Sequence, residues 1–454
     1  EMKTVRLILG DQLNQNHSWF NEVNDNVIYL MAEMRQETDY VKHHIQKVIA
    51  FFLAMRNFKE ELSAKGHQFI YFSLTDANNP QQLEEIITKT IKESNAKKFE
   101  YQLPDEYRLD EQLNNICKSL PIATSYADTE HFYTTRFELR DFFKGKKQMI
   151  MESFYRMMRK KHDILINNDQ PEGGKWNYDQ SNRNKWKGQP SIPHEKDFKK
   201  NVEEIIEELS KAKVKTFGNV DPMAFSWPVT KVDALSTLTY FCDQLLPHFG
   251  QILGWREYMR GIYWKEMPRY KGLNVLENKN KLPHFFWTGK TNMNCLKHAI
   301  GQSLDQSYAH HIQRLMIIGN FALLTQIDPD EVDQWYLGVY IDAIEWVEIT
   351  NTRGMSQFAD GGIVATKPYV SSANYINKMS NYCSKCSYNH TKKLGDKACP
   401  FNSLYWNFLA DKKAHFKNNQ RMKMMLSLLD KMDGSVLADI QLKANDLMKN
   451  LDAL

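Results

Sequence analysis

Three cysteines near the C-terminus carry the densest chemistry in this chain. Cys383, Cys386 and Cys399 follow the spacing C-x2-C-x12-C, with Pro400 directly after the last. Thiolates two residues apart can turn onto one inorganic centre, and a third can return after a polar loop. A four-ligand centre needs one more donor, and Cys295, Cys242, Cys117 and His390 are the candidates. The chemistry is then that of a structural zinc ion or of an iron–sulfur cluster. Six cysteines arranged in this way fit a reducing compartment better than a disulfide framework, so a cytoplasmic location is expected.

A second group opens an apolar helix, Tyr308-Ala-His-His-Ile-Gln-Arg314. Adjacent helical residues point about 100° apart, so one of His310 and His311 can face a pocket while the other packs. His311 and Arg314 are three apart and share a face. Imidazole titrates near neutrality, which makes proton transfer the chemistry on offer, although a His–Arg pair alone is more often structural. The following segment, Trp335 to Asn351, sets Asp342, Glu345 and Glu348 in an otherwise apolar stretch whose spacing predicts a helix over Asp333–Trp346. Buried acids need partners. Arg314 can serve either a helix-pairing salt bridge or a carboxylate that faces the polar edge of a cofactor.

The elements that must position these groups fall into two classes. Strand-like runs at Val5–Leu9, Val27–Met31, Gln68–Phe72 and Lys98–Tyr101 alternate with helical spacing, clearest at Ile45, Val48, Ile49, Phe52, Met55 and Phe58. This alternation predicts a doubly wound parallel sheet, which presents ligands at the carboxyl ends of its strands. Asp11 and Gln12 follow the first strand directly. No Gly-x-Gly-x-x-Gly or Walker sequence is present, which argues against a classical dinucleotide or ATP site. A polar connector over 160–200 contains Gly173-Gly-Lys-Trp176 and Asp179, more specific than a spacer requires. From about 230 the pattern is helical. The expected architecture is an α/β domain over 1–135, a connector with a long loop over 136–225, and an all-α domain over 226–454.

Composition narrows the function classes. The 454 residues are 42% hydrophobic and 12% aromatic with a net charge of +4, so the chain has no polyelectrolyte signature. Basic clusters at Lys144, Lys146 and Lys147 and at Arg156, Arg159, Lys160 and Lys161 are either solvated faces or a track for a DNA backbone. No apolar run is long enough to span a bilayer, and the charged N-terminal strand does not read as a signal peptide.

Several longer motifs occur in a fixed order: Leu7-Ile-Leu-Gly-Asp-Gln-Leu13, Gly173-Gly-Lys-Trp-Asn-Tyr-Asp179, Gly254-Trp-Arg-Glu-Tyr-Met-Arg-Gly-Ile-Tyr-Trp264, Phe286-Trp-Thr-Gly-Lys290, His310-His311-x-x-Arg314, Met355-Ser-Gln-Phe-Ala-Asp-Gly-Gly362 and the cysteine set. Together they resemble the iron–sulfur bacterial cryptochromes and photolyases, the prokaryotic (6-4) photolyase branch, nearly end to end. The resemblance implies FAD in the helical domain, a 6,7-dimethyl-8-ribityllumazine-type antenna in the α/β domain, and a 4Fe–4S cluster whose fourth ligand is Cys295. It implies light-driven electron donation from reduced FAD to a UV-induced (6-4) photoproduct flipped out of DNA, because stacked bases cannot be reached. His311 would give the proton, with His310 in support. Arg314 and Asp342 would brace the flavin ring, and Glu348 would face its N5. Met355, Tyr369 and Tyr375 resemble lesion-pocket residues beside the cofactor, and Glu257 is a further lesion contact. Trp287, Trp335 and Tyr336 match the family's aromatic electron-transfer route, and Asp11, Gln12, Glu37 and Tyr40 match its antenna site. Asp179 would hold a divalent cation, Mg2+, near the DNA. The partner is UV-damaged DNA, no membrane is involved, and a monomer is expected.

The chain departs from the family pattern twice. Leu315 stands where the animal (6-4) enzymes carry a second histidine. In addition, Phe249-Gly250 runs directly into Gln251-Ile-Leu-Gly-Trp255, where family members carry several further helices with a Ser-rich turn for the FAD phosphates. Two other functions compete with repair. A photosensory cryptochrome would bind flavin and signal without repair, and a zinc-stabilised nucleic-acid-binding protein would have no photochemistry. The histidine pair, Tyr369 and the basic patches favour repair.

Overall fold

Four of the apolar runs in the first third of the chain become strands of one parallel sheet: Thr4–Leu7, Val27–Ala32, Gln68–Phe72 and Lys98–Gln102. A fifth strand, Ala123–Ala127, was not expected, since its sequence is short of large apolar residues and its Tyr126 is exposed. It is an edge strand that pairs only with Lys98–Gln102, so it need not read as buried. The spatial order puts Thr4–Leu7 at the centre, between Val27–Ala32 and Lys98–Gln102. The strand order reverses there, and this is where an open α/β sheet leaves its ligand crevice. Val5, Leu7, Leu30 and Phe99 form one buried face with Ile86, Ile87 and Leu113 of two covering helices. On the other face Phe69 meets Phe58 of the helix Ile45–Ala64, whose Val48, Ile49, Phe52, Met55 and Phe58 are buried as their spacing predicts, with Ile45 half-buried at its start.

The chain is described here by a computed structural model over residues 2–180 and 186–454. Residues 181–185 of the expected connector, Arg183 among them, lie outside the described residues. Two units emerge: Glu1–Thr216 with Val220–Lys265, and Phe217–Asn219 with Glu266–Leu454. Within the first unit the Gly-Gly-Lys-Trp loop is an ordered feature. Trp176 lies 6.2 Å from the Tyr155 ring and has the guanidinium groups of Arg156 and Arg159 each 5.2 Å over it. Gly173 has φ 77°, and a Cβ there would sit 2.3 Å from the Tyr178 hydroxyl, so only glycine fits.

The basic cluster on the helix Met151–Lys161 is mostly committed to the fold. Arg159 is buried and donates to Tyr155 Oη and to the carbonyls of Ile164 and Leu165. Arg156 pairs with Glu152, and Lys161 with Glu138. The solvated-track reading therefore does not apply to Arg159. The long helix Lys231–Glu266 contains Pro247 and a non-helical residue, Leu245 (φ −139°, ψ 34°). Val232, Leu235, Leu238, Leu245, Leu246 and Ile252 along it are exposed.

The second unit is helical around a buried aromatic interior. The expected helix Asp333–Trp346 is two helices, Pro329–Val339 and Glu345–Ile349, separated by extended residues at Tyr340 (ψ 133°) and Ile344 (ψ 147°). The expected helix over Ala309–Gln326 widens to π-helical geometry at Gln313–Gly319 and returns to α over Asn320–Leu324. A second π-helical stretch, Thr350–Ser356, follows Glu345–Ile349. π-turns insert a residue into the ladder and recur at functional sites. Among the described residues no helix is long and apolar enough to cross a membrane.

Candidate functional site

The break after Val339 leaves Asp342 in a turn, where it meets Arg314. Arg314 Nη1 and Nη2 donate to the two oxygens of Asp342 at 2.8 and 3.1 Å, and Nε donates to the Ala309 carbonyl at 2.7 Å. The guanidinium also lies 3.8 Å over the Tyr340 ring and 4.9 Å over Tyr308. Burial opposes its charge, but Asp342 outweighs burial and holds its pKa above the usual value. A bidentate pair stacked on an aromatic face is rigid, so it can orient whatever touches it.

This pair forms one wall of a cavity of 270 Å³, whose lining includes His311, Arg314, Tyr336, Tyr340, Asp342 and Glu348. Asn351, Thr352 and Ser356 of the second π-turn line the same space. Glu348 is buried and His311 is exposed at its rim. His310 Nδ1 accepts from the Ile312 amide at 3.2 Å, so its neutral ring carries the proton on Nε2. Burial, then Arg314, pushes the His310 pKa below its usual value, which leaves that ring neutral at pH 7. Met355 is buried on the π-turn, and Tyr369 and Tyr375 are half-buried on the segments beyond it; none of the three is among the lining residues.

Behind the cavity runs a chain of rings. Tyr336 lies 5.4 Å from Trp335 between centroids, and Trp335 lies 5.2 Å from Phe286, whose chain neighbour is Trp287. Trp287 is half-buried, 5.0 Å from Phe217. Trp335 is fully buried, and its Nε1 donates to the Phe286 carbonyl at 3.0 Å. Burial raises the Tyr336 phenol well above its usual pKa and brings Tyr340 to about 12, so both stay protonated. Tyr340 was passed over in the sequence because it reads as one more apolar helix residue; its place at the helix break was the missing signal.

Four of the six cysteines line a second cavity: Cys295, Cys383, Cys386 and Cys399, with Tyr382, Tyr388 and His390. Cys117 and Cys242 lie in the first unit. Burial first, then the charges of Cys399, Cys386 and Cys383, pushes the Cys295 thiol well above its usual pKa, and burial brings Cys399 to about 12. Thiols that repel one another as thiolates suit a shared cationic centre, whose binding releases their protons. Among the described residues no three His, Cys, Asp or Glu side chains close tightly enough to grip one metal ion.

The remaining expected residues belong to the first unit. At the carboxyl end of the central strand Gln12 Nε2 donates to the Gln102 carbonyl at 3.1 Å, while its Oε1 accepts from the Leu9 amide at 3.0 Å. Burial, then Asp105, raises the Asp11 pKa to about 6. Glu37 accepts two bonds from Arg108, at 3.0 and 2.8 Å, and Arg108 lies 4.2 Å over the Tyr40 ring. Asp11 feels the charge of Glu37, and Glu37 and Tyr40 meet through Arg108. Asp179 is exposed, and its carboxylate accepts from Gln251 at 2.8 Å. Glu257 is buried in the first unit, and its two oxygens accept the amides of Tyr133 and Thr134 at 3.0 and 3.1 Å.

Comparisons with known proteins agree with this layout. Residues 6–225 match the family described as deoxyribodipyrimidine photo-lyase-related protein. The chain is 37% identical to a (6-4) photolyase of Agrobacterium fabrum over 511 aligned positions, which cover 99% of this chain and 100% of the relative. Those 511 positions exceed the 454 residues of this chain by 57, so at least that many positions of the relative have no counterpart. Among solved structures, a bacterial class III photolyase from Agrobacterium tumefaciens matches with a TM-score of 0.51 and 13% identity, covering 99% of this chain and 98% of that one. A cryptochrome from Synechocystis matches with the same score and identity over 94% of both chains. These two likenesses give the chain the photolyase/cryptochrome fold.

Proposed function

The chain belongs to the deoxyribodipyrimidine photolyase-related family, and from that premise we propose that it is a light-dependent DNA-repair enzyme that reverses (6-4) pyrimidine–pyrimidone photoproducts. The observation that carries the proposal is the cavity of the helical unit, where His311, Glu348 and the Arg314–Asp342 pair line one space. A flavin bound there would supply an electron to the lesion after blue-light excitation. Aromatic rings, one fixed cation and paired acids suit a flat, polar-edged ring system. At 270 Å³ the space is below the roughly 300–1,000 Å³ of pockets that enclose whole drug-sized ligands, so it fits the ring rather than a whole FAD.

The roles of the chain's own residues follow from their surroundings. Arg314 and Asp342 would fix the ring's orientation, and Glu348 would contact its edge. His311, exposed at the rim, would protonate the lesion; neutral His310 would support it. Trp335 and Tyr336, 5.4 Å apart, would carry electrons inward when the flavin is reduced, with Trp287, the chain neighbour of Phe286, as the outer member of the route. Met355, Tyr369 and Tyr375 would contact lesion or cofactor only with movement of their segments. Cys295, Cys383, Cys386 and Cys399, which line one cavity, would hold a 4Fe–4S cluster, whose four corners each take one thiolate. Asp11, Gln12, Glu37 and Tyr40 would hold a lumazine-type antenna, and Asp179 an Mg2+ ion. The antenna domain would be 1–135, the connector 136–225 and the catalytic region 226–454.

The test is an absorption spectrum of the purified protein, followed by blue-light irradiation with (6-4)-lesion DNA. Flavin bands over a broad iron–sulfur shoulder, with lesion loss in light only, are expected. Flavin bands without repair would replace the proposal with a photosensory cryptochrome, and a colourless protein would refute both.

A further inference from the structure

The lysines that flank and fill the cysteine loop have no part in the chemistry above. Between positions 367 and 397 the chain carries Lys367, Lys378, Lys385, Lys392, Lys393 and Lys397 against one acid, Asp396. All six are exposed. The ion-paired lysines of this unit, among the described residues, are Lys271, Lys281, Lys412 and Lys413, and none of the six is among them. The helix Met151–Lys161, which the sequence offers as a DNA track, differs in this respect, because its basic residues are largely buried or paired.

The loop is a rigid mount for these charges. The Asn389 amide donates to the Lys397 carbonyl at 2.6 Å and the Cys399 amide to the Asn389 carbonyl at 3.0 Å, which closes the loop on itself. Buried Asn402 clamps it from below, donating to the carbonyls of His390 at 2.9 Å and Lys392 at 2.7 Å. Lys443 Nζ donates to the Gly395 carbonyl at 3.0 Å. Charges on a pre-ordered backbone lose little further entropy when they bind. The loop also adjoins the histidine pair. Tyr382, next to Cys383, accepts from Gln313 Nε2 at 3.1 Å, and Gln313 Oε1 accepts from the His310 amide at 2.9 Å.

We propose that this lysine-bearing cysteine loop grips the phosphate backbone of duplex DNA beside the position of the lesion. The inference rests on the repair reading and adds a surface to it. Exposed ammonium groups outside those ion pairs, of which Lys393 also lies 5.4 Å over the Trp406 ring, are what phosphate neutralisation with counterion release requires, and such contacts position the duplex without reading its sequence.

The test compares wild type with the triple variants Lys385→Gln/Lys392→Gln/Lys397→Gln and Lys385→Arg/Lys392→Arg/Lys397→Arg. Binding to lesion-bearing and undamaged duplexes is followed by fluorescence anisotropy over about 50–200 mM salt. The glutamine variant is expected to lose about 0.9 from the slope of log K against log salt for each phosphate contact removed, so about 2–3 in all. The loss is equal on both duplexes, the arginine variant keeps the wild-type slope, and visible absorption is unchanged in all three. A glutamine variant with the wild-type slope overturns the inference. If wild type still repairs the lesion in light, that result leaves the repair reading intact; a wild type that neither repairs nor binds duplex removes both.

Discussion

Asp11→Asn should make the protein more stable at neutral pH. Asp11 follows the central strand, and burial, then Asp105 and Glu37, raises its carboxyl from 3.8 to about 6. Between about pH 4 and 6 the folded chain therefore holds a proton that the unfolded chain has released. The stability linked to this group is complete below pH 4 and is lost as pH rises through 6, so at pH 7 the carboxylate weighs against folding. A shift of about two units corresponds to about 3 kcal/mol. Asp11 keeps part of its surface in solvent, which screens the charge and brings the expected gain to about 1–3 kcal/mol. Asparagine keeps the shape and removes the charge. Each kcal/mol moves the midpoint of a large domain by about 2–4 °C, so thermal unfolding at pH 7.5 should show a rise of several degrees that fades towards pH 4. An asparagine variant no more stable than wild type at pH 7.5, or shifted equally at both pH values, would refute the desolvation argument. The same variant should bind a lumazine-type chromophore more weakly, since a charge retained at this cost in stability serves the site rather than the fold.

Three further outcomes are expected. His311→Ala should keep flavin binding and photoreduction and lose (6-4) repair in light, because the ring is exposed at the rim of the cavity; full repair would remove it as the acid. Cys295→Ala should lose iron, read by metal analysis and by the visible shoulder, and should lower soluble yield, since metal binding is coupled to folding; wild-type iron content would exclude it as a ligand. Trp335→Phe should slow photoreduction, leave duplex binding unchanged, and cost about 1–3 kcal/mol because the buried Phe286 carbonyl loses its donor; an unaltered photoreduction rate would take Trp335 out of the relay.

Legibility in the sequence followed burial. The three inner strands, the edge strand Gln68–Phe72 and the helix Ile45–Ala64 announced themselves because their apolar periods match the faces they bury. Ala123–Ala127, the other edge strand, did not, because it carries little apolar surface to hide. The cysteine spacing pointed to a centre, but only the fold brings Cys295 to the other three across almost ninety residues of sequence. The Arg314–Asp342 pair was visible as two charges in need of partners. The break that lets them meet was not, since Tyr340 and Ile344 are residues that a helix accepts. Arg159 misled for the opposite reason: a charge in a basic run looks solvated, and its burial depends on carbonyls at Ile164 and Leu165 that no periodicity reports.

The long helix Lys231–Glu266 departs from the sequence rules of a helix in one stretch. Pro247 lacks the amide that an interior helical position needs, and Leu245 leaves helical geometry just before it. Val232, Leu235, Leu238, Leu245, Leu246 and Ile252 recur at near-helical spacing yet lie in solvent. Burying such a side chain from full exposure contributes about 1.5–3 kcal/mol, and these are partly covered already, so each would gain about half of that. The (6-4) photolyase relative has at least 57 positions with no counterpart here, ample chain for a cover of two or three helices. The junction Phe249-Gly250-Gln251 lies on the defective stretch, where the sequence itself departs from the family pattern. A non-helical residue, an interior proline and six exposed apolar side chains thus fall within one stretch of about twenty residues.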